Sequence, residues 1–126
     1  MARCAFAFAA LVVIVTTGAV LASQSAQVTQ GRELYVEYCQ LCHGPDGKRG
    51  EGFQTPIWGP GSLIASKFGD ALKLFEYMQV MPFNDPSLLD PTQKLAVVAY
   101  MLVNHGVMEP AATLDYGAAS GFKLAK

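Results

Sequence analysis

Residues Tyr38 to Gly47 read YCQLCHGPDG, and three of them carry reactive groups at close spacing. The thiols of Cys39 and Cys42 are separated by two residues, and the imidazole of His43 follows at once. A Cys-x-x-Cys-His run is the attachment segment for c-type haem. Two thiols add across the two vinyl groups on one edge of the porphyrin and leave two thioether bonds. Gln40 and Leu41 let the end of a helix span that edge. His43 then falls under the iron and offers a ring nitrogen as the proximal ligand. Rival chemistries use only part of this set. A thioredoxin-like redox pair needs a strand ahead of the motif and a βαβ frame, and no such pattern precedes Cys39. A zinc site needs four ligands, and the sequence adds only the distant His105 to these three. A disulfide between Cys39 and Cys42 is open to an exported chain, but it would close a strained, reducible ring.

An iron that shuttles electrons without binding small molecules needs a sixth ligand, and methionine opposite histidine raises the reduction potential in cytochromes c. Beyond the first residue the chain offers Met78, Met81, Met101 and Met108. Met101 falls in an apolar helical stretch, which suits a core position. Met108 lies in the tail. Met81 precedes Pro82, and proline holds the residue before it extended. A thioether in a stiff loop is what the distal side needs, so Met81 is the expected ligand, with Met78 in reserve. His105 falls in the last turn of a helix, where positive charge is favoured, and reads as a surface or capping residue. As a sixth ligand it would require the helix end to fold over the haem.

These groups need a scaffold, and the chain is short. It has 126 residues, room for one small domain. Arg3, an apolar run from Ala5 to Val15 and beyond, and small residues from Val20 to Ala26 have the order of a secretory signal peptide. The expected cut follows Ala22; a cut near Ser25 or Ala26 is the alternative. A retained anchor is the rival, but Thr16, Thr17 and Gly18 dilute a run barely long enough to span a bilayer. Cys4 precedes the apolar run and cannot be a lipidation site after cleavage. Without the leader, eight basic side chains face ten acidic ones, which excludes a basic footprint for nucleic acid. No membrane span remains after cleavage, and the product is expected in the periplasm. A domain this small often needs a cofactor to complete its core.

The pattern is all-α. Val28 to Leu41 reads as a first helix, with Thr29 as its cap and Leu34, Tyr35, Tyr38 and Leu41 at helical spacing. Residues 44–61 are rich in glycine and proline and read as loop. Gly69 to Gln79 reads as a second helix capped by Asp70, with Leu72, Phe75 and Leu74 inward. A second loop runs from Met81 to Asp90. The third helix begins at Asp90, with Pro91 at its first position and Gln93 completing a capping box, and stops at Gly106. The domain therefore spans residues 28–106. The tail, 107–126, is weakly patterned and is expected to lie on the surface or to move. Three or four short helices joined by long loops need an internal group to wrap around.

These residues resemble the class I, monohaem c-type cytochromes, over about Gln30 to His105. The segment QGRELYVEYCQLCHG is similar to the family's first helix. There a glycine and an aromatic, here Gly31 and Tyr35, meet an aromatic of the last helix, here Tyr100. The segment WGPGSL resembles the loop below the haem. The resemblance implies that the Pro60 carbonyl accepts the free N–H of His43, although one extra residue stands between Pro60 and Leu63. Trp58 would either donate its indole N–H to a haem propionate or pack on the ring edge. MPFNDPSLLDPTQKLAVVAYML is similar to the methionine loop and last helix of small bacterial cytochromes that serve periplasmic dehydrogenases, which also favours Met81.

The expected protein is thus a cytochrome c fold around one covalent haem c, carrying single electrons between redox partners. A dehydrogenase would be the donor, and an oxidase or another cytochrome the acceptor. Leu63, Phe68, Leu72, Phe75, Leu95, Val98 and Leu102 would shield the iron. One alternative is a tightly bound haem subunit of a periplasmic dehydrogenase, since Leu95 to Val103 is almost wholly apolar and one face would suit a permanent partner. Another is a haem enzyme or gas sensor with an open sixth site, which requires that Met81 not ligate.

Overall fold

Ser25, not Thr29, starts the first helix. Its hydroxyl accepts from the Val28 N–H at 3.2 Å, and helix α1 runs Ala26–Tyr38. The computed structural model describes residues 23–125, so the expected leader lies outside the described residues. After α1 come the short helices α2 (Gln40–His43), α3 (Leu63–Lys67) and α4 (Ala71–Tyr77), and then the long α5 (Pro91–His105). Short 3-10 segments cover Met78–Val80, Pro86–Leu88 and Tyr116–Gly121. The described residues contain no strand, only one isolated bridge between Asp70 and Lys123.

Local chemistry explains most of these boundaries. Asp70 accepts from the Lys73 N–H at 3.1 Å and opens α4. Asp90 and Gln93 form a reciprocal capping box, each bond 2.9 Å long, with Pro91 at the first position of α5. Gly106 ends α5 with φ of 78°. α3 is an addition to the expected set. Ser62, fully buried, caps it by accepting from the Ala65 N–H at 3.3 Å.

The frame is α1 crossed on α5. At the crossing, a Cβ on Gly31 would overlap the Ala96 carbonyl, so only glycine permits this approach. Four residues on, Tyr35 meets Tyr100 with ring centroids 5.5 Å apart. Val97, Val98, Ala99, Met101 and Leu102 of α5 are all buried. The apolar character of this helix is therefore satisfied inside the molecule and does not make an exposed face.

The tail does not lie loosely on the surface. Leu114, Ala119 and Leu124 are buried, and burying a leucine stabilises a fold by about 2 kcal/mol. The Gln27 side chain brackets Leu114, accepting from its N–H at 2.7 Å and donating to its carbonyl at 2.9 Å. The Ala71 N–H donates to the Phe122 carbonyl at 3.0 Å, and the Leu124 N–H to the Gly69 carbonyl at 3.2 Å. Residues 107–125 thus complete the core that α1, α4 and α5 begin.

Candidate haem site

The Cys-x-x-Cys-His segment is shaped by a break in the helix. The Cys39 N–H still donates to the Tyr35 carbonyl at 2.9 Å, but the Cys39 backbone departs from helical geometry at φ −120°, ψ −33°. α2 then turns away from the axis of α1. The turn leaves Cys39 partly buried and Cys42 exposed, and Leu41, expected to face inward, is 70 % exposed. The two thiols form no disulfide with each other. Burial first, and the neighbouring Cys42 second, push the Cys39 thiol up to about 12. Its reactivity in the unmodified chain is correspondingly low.

His43 sits edge-on to Phe53, with ring centroids 5.3 Å apart. Burial lowers its pKa from the ordinary value, which favours the neutral imidazole that a metal requires. Its Nδ1 is buried and makes no hydrogen bond. The next residue is held firmly: the Tyr35 hydroxyl donates to the Gly44 carbonyl at 2.7 Å. Burial raises the Tyr35 pKa well above the usual phenol range, so the hydroxyl stays protonated as donor.

The other wall of the site follows α4. The chain passes through the turn Met78–Val80 into Met81, whose N–H donates to the Met78 carbonyl at 3.0 Å. Met81 is extended at φ −107°, ψ 148°, as its position before Pro82 requires. Cys39, Cys42, His43, Met78 and Met81 all line one cavity of about 960 Å³, at the large end of the usual range for ligand sites. Ile57, Leu63, Ile64, Phe68, Leu74, Val97 and Met101 supply most of its apolar wall. The donor set fits haem: two thiols, a neutral imidazole and two thioethers converge on one apolar chamber.

The lining departs from expectation in its detail. On α4 it is Leu74 and Tyr77, not Leu72 or Phe75, and on α5 it is Val97 and Met101, not Leu95, Val98 or Leu102. Met101, read as a plain core residue, is part of the chamber wall. Phe75 instead meets Tyr116 of the tail at 5.6 Å. Neither Trp58 nor Pro60 lines the cavity. Trp58 is buried between Tyr35 and Tyr100, with ring centroids 5.1 and 5.8 Å away. Gly47 provides the room, because a Cβ there would run into the indole. Pro60 is exposed, and no bond joins its carbonyl to His43 Nδ1.

His105 is neither a surface cap nor at the cavity. It is 2 % exposed, and its Nδ1 accepts from the Gly59 N–H at 3.0 Å. Since that nitrogen accepts, Nε2 carries the proton and donates to the Leu124 carbonyl at 2.9 Å. The histidine ties the Trp58–Pro60 loop and the tail to the end of α5. Sequence reasoning also missed Lys94, which is buried in the first turn of α5 and donates to the Gln79 carbonyl at 3.0 Å. One signal for it was legible: a lysine in a first helical turn opposes the helix dipole. Among the described residues no group of three or more His, Cys, Asp or Glu is placed to hold a metal ion by itself.

A family model described as "Cytochrome C oxidase, cbb3-type, subunit III" matches residues 26–101, more than half of the chain. The chain belongs to this family. As a cytochrome c domain it is an electron carrier, or the electron-transfer subunit of an oxidoreductase, and its cofactor is covalently bound haem c. A chain in the crystal structure of the sulfane dehydrogenase SoxCD from Paracoccus pantotrophus is similar to this cytochrome in fold, with a TM-score of 0.64 at 24 % identity. The match covers 77 % of this chain and 52 % of that one, so the cytochrome spans about half the length of its structural relative. No curated protein sequence matches it significantly.

Proposed function

We propose that this cytochrome is a periplasmic one-electron carrier that holds haem c through thioethers at Cys39 and Cys42, with His43 and Met81 as axial ligands. The observation that carries this reading is the convergence of those four side chains on one apolar cavity of about 960 Å³. The bound haem supplies a reversible Fe(III)/Fe(II) couple. The chain's own residues do the rest. Cys39 and Cys42 fix the group in one orientation, and the Tyr35–Gly44 bond steadies the segment that presents His43. The apolar wall keeps water out, which raises the reduction potential.

Electrons leave and enter at the cavity mouth, where Leu41 and Phe83 are 70 % and 86 % exposed. A small apolar rim of this kind suits weak, short-lived redox encounters. We assign the donor to a dehydrogenase, in line with the likeness to a chain of a sulfane dehydrogenase, and the acceptor to an oxidase or another cytochrome, in line with the family's description. The buried state of α5 favours a dissociable carrier over a permanent subunit, because the face that would have bound a fixed partner is covered. Among the described residues no helix is long and apolar enough to cross a membrane; the apolar run from Ala5 lies outside them.

The test is the mass and spectrum of the exported product. The mass should exceed the processed chain by one haem. The ferric form should show the weak charge-transfer band of methionine-bound haem. Met81→Ala should abolish that band and lower the potential. A colourless product of bare-chain mass refutes haem attachment. Loss of the band in Met78→Ala but not in Met81→Ala moves the ligand to Met78.

A further inference from the structure

We propose that Lys94 is a positioning residue for the methionine turn, locking Met78–Met81 to the start of α5 so that a thioether stays over the cavity. The inference rests on the reading that a methionine of this turn is an axial ligand, and it holds whichever of the two ligates.

Lys94 sits where a lysine is unfavourable on two counts. It is 4 % exposed, and a buried ammonium loses most of its hydration. It also lies in the first turn of α5, four residues after the cap Asp90, where the unpaired N–H groups already carry positive partial charge. The cap carboxylate is engaged with the Gln93 N–H. What offsets these costs is the 3.0 Å bond from Nζ to the Gln79 carbonyl. That carbonyl belongs to the middle residue of the turn Met78–Val80. It is separated from both cavity-lining methionines by at most two residues.

Met78 is buried in the core, but the other hydrogen bonds of this turn are local. The Met81 N–H bonds the Met78 carbonyl, and the Gln79 side chain bonds the Phe75 carbonyl at 3.0 Å. Both bonds stay within α4 and its continuation, so they shape the turn without fixing it to the rest of the molecule. Beyond the buried Pro82 the chain is exposed from Phe83 to Leu88. The Lys94 ammonium is therefore the polar link that ties the turn to the helix forming the opposite part of the cavity wall, through Val97 and Met101. An apolar residue would fill the same space at lower desolvation cost. The retained charge is explained by the carbonyl it grips.

The experiment is imidazole competition on the ferric holo-protein, read as loss of the methionine charge-transfer band. Lys94→Met keeps the stem's volume and removes the donor. Gln79 is exposed, so its carbonyl can pair with water once the donor is gone, and a methionine carries no charge to desolvate. The denaturation midpoint should therefore hold while the imidazole concentration needed for half displacement falls about tenfold, the equivalent of one charged hydrogen bond. Lys94→Arg, which keeps a cationic donor, should recover much of that shift. Lys73→Met, which removes an exposed charge from α4, should change nothing. Equal imidazole affinity in wild type and Lys94→Met overturns the proposal, as does a fall matched by an equal loss of global stability. If Lys94→Met does not fold, hydrogen exchange on the wild type decides. The Met81 and Lys94 amides should then exchange at comparable rates, and a Met81 amide opening about a hundredfold faster overturns the link. A wild-type protein without the charge-transfer band refutes methionine ligation itself, which is a separate failure.

Discussion

The Tyr35 hydroxyl donates to the Gly44 carbonyl across 2.7 Å, joining the last turn of α1 to the residue that follows His43. The two lie nine positions apart in sequence, and the helix break at Cys39 brings them back together. The same ring packs between Trp58 and Tyr100. One side chain thus anchors the presenting segment of the site to the α1–α5 crossing.

Tyr35→Phe keeps this packing and leaves a buried carbonyl unpaired. The expected loss is about 1–3 kcal/mol of stability, read from urea denaturation. The pH dependence follows from the raised phenol. The fold holds Tyr35 protonated where the unfolded chain, with an ordinary phenol near 10, releases its proton. Stability from this group is complete below about pH 10 and declines above it by about 1.4 kcal/mol per pH unit. Tyr35→Phe should flatten that alkaline decline by one proton, and an unchanged slope would show that Tyr35 does not titrate with unfolding.

The two cysteines should differ in the chain before haem is attached. Cys42 is exposed, whereas burial drives the Cys39 thiol to about 12. Alkylation with iodoacetamide at pH 8, mapped by peptide mass, should label Cys42 first, with Cys39 at least about tenfold slower. Equal rates would mean that the Cys39 environment forms only around the cofactor.

His105→Phe removes two bonds at once, to the Gly59 N–H and to the Leu124 carbonyl. With the Leu124 carbonyl buried and the Gly59 N–H partly so, the expected cost is about 2–4 kcal/mol. The tail should respond more than the methionine turn. Faster exchange of the Leu124 amide, which bonds the Gly69 carbonyl, with an unchanged charge-transfer band would locate the effect there.

The structure also bears on processing of the proposed leader. The Ser25 hydroxyl caps α1, and its N–H donates to the Pro110 carbonyl at 2.9 Å. A cut after Ala22 keeps both contacts, and a cut after Ser25 or Ala26 removes them. Intact mass of the exported protein should place its first residue at Ser23. A chain starting at Gln27 should be less stable by about 1 kcal/mol, the worth of an N-cap.

The residues proposed to hold the haem, and the helix caps, stand out in the sequence because covalent attachment and capping are local. The proposed thioether pair and its proposed ligand fall within five consecutive positions, Cys39 to His43. Asp70, Asp90 with Gln93, and Gly106 act on backbone groups within a few residues, so α4 and α5 could be read from neighbours alone. The Gly31 crossing was legible only through resemblance, since spacing does not say which helix a glycine will meet.

What the tertiary structure decided is every choice between chemically equal candidates. Ser25 outranks Thr29 as a cap because Ser25 is also paired to Pro110, 85 positions away in the chain. His105 is sealed inside because Gly59 and Leu124 bracket its two nitrogens, and neither is near it in sequence. Trp58 leaves the cavity for the Tyr35–Tyr100 stack, and Lys94 is buried because one carbonyl of the methionine turn lies within reach. Sequence reports the valence of each side chain and its near neighbours. Which distant partner satisfies that valence depends on how the helices cross, and that is settled only when the whole core closes.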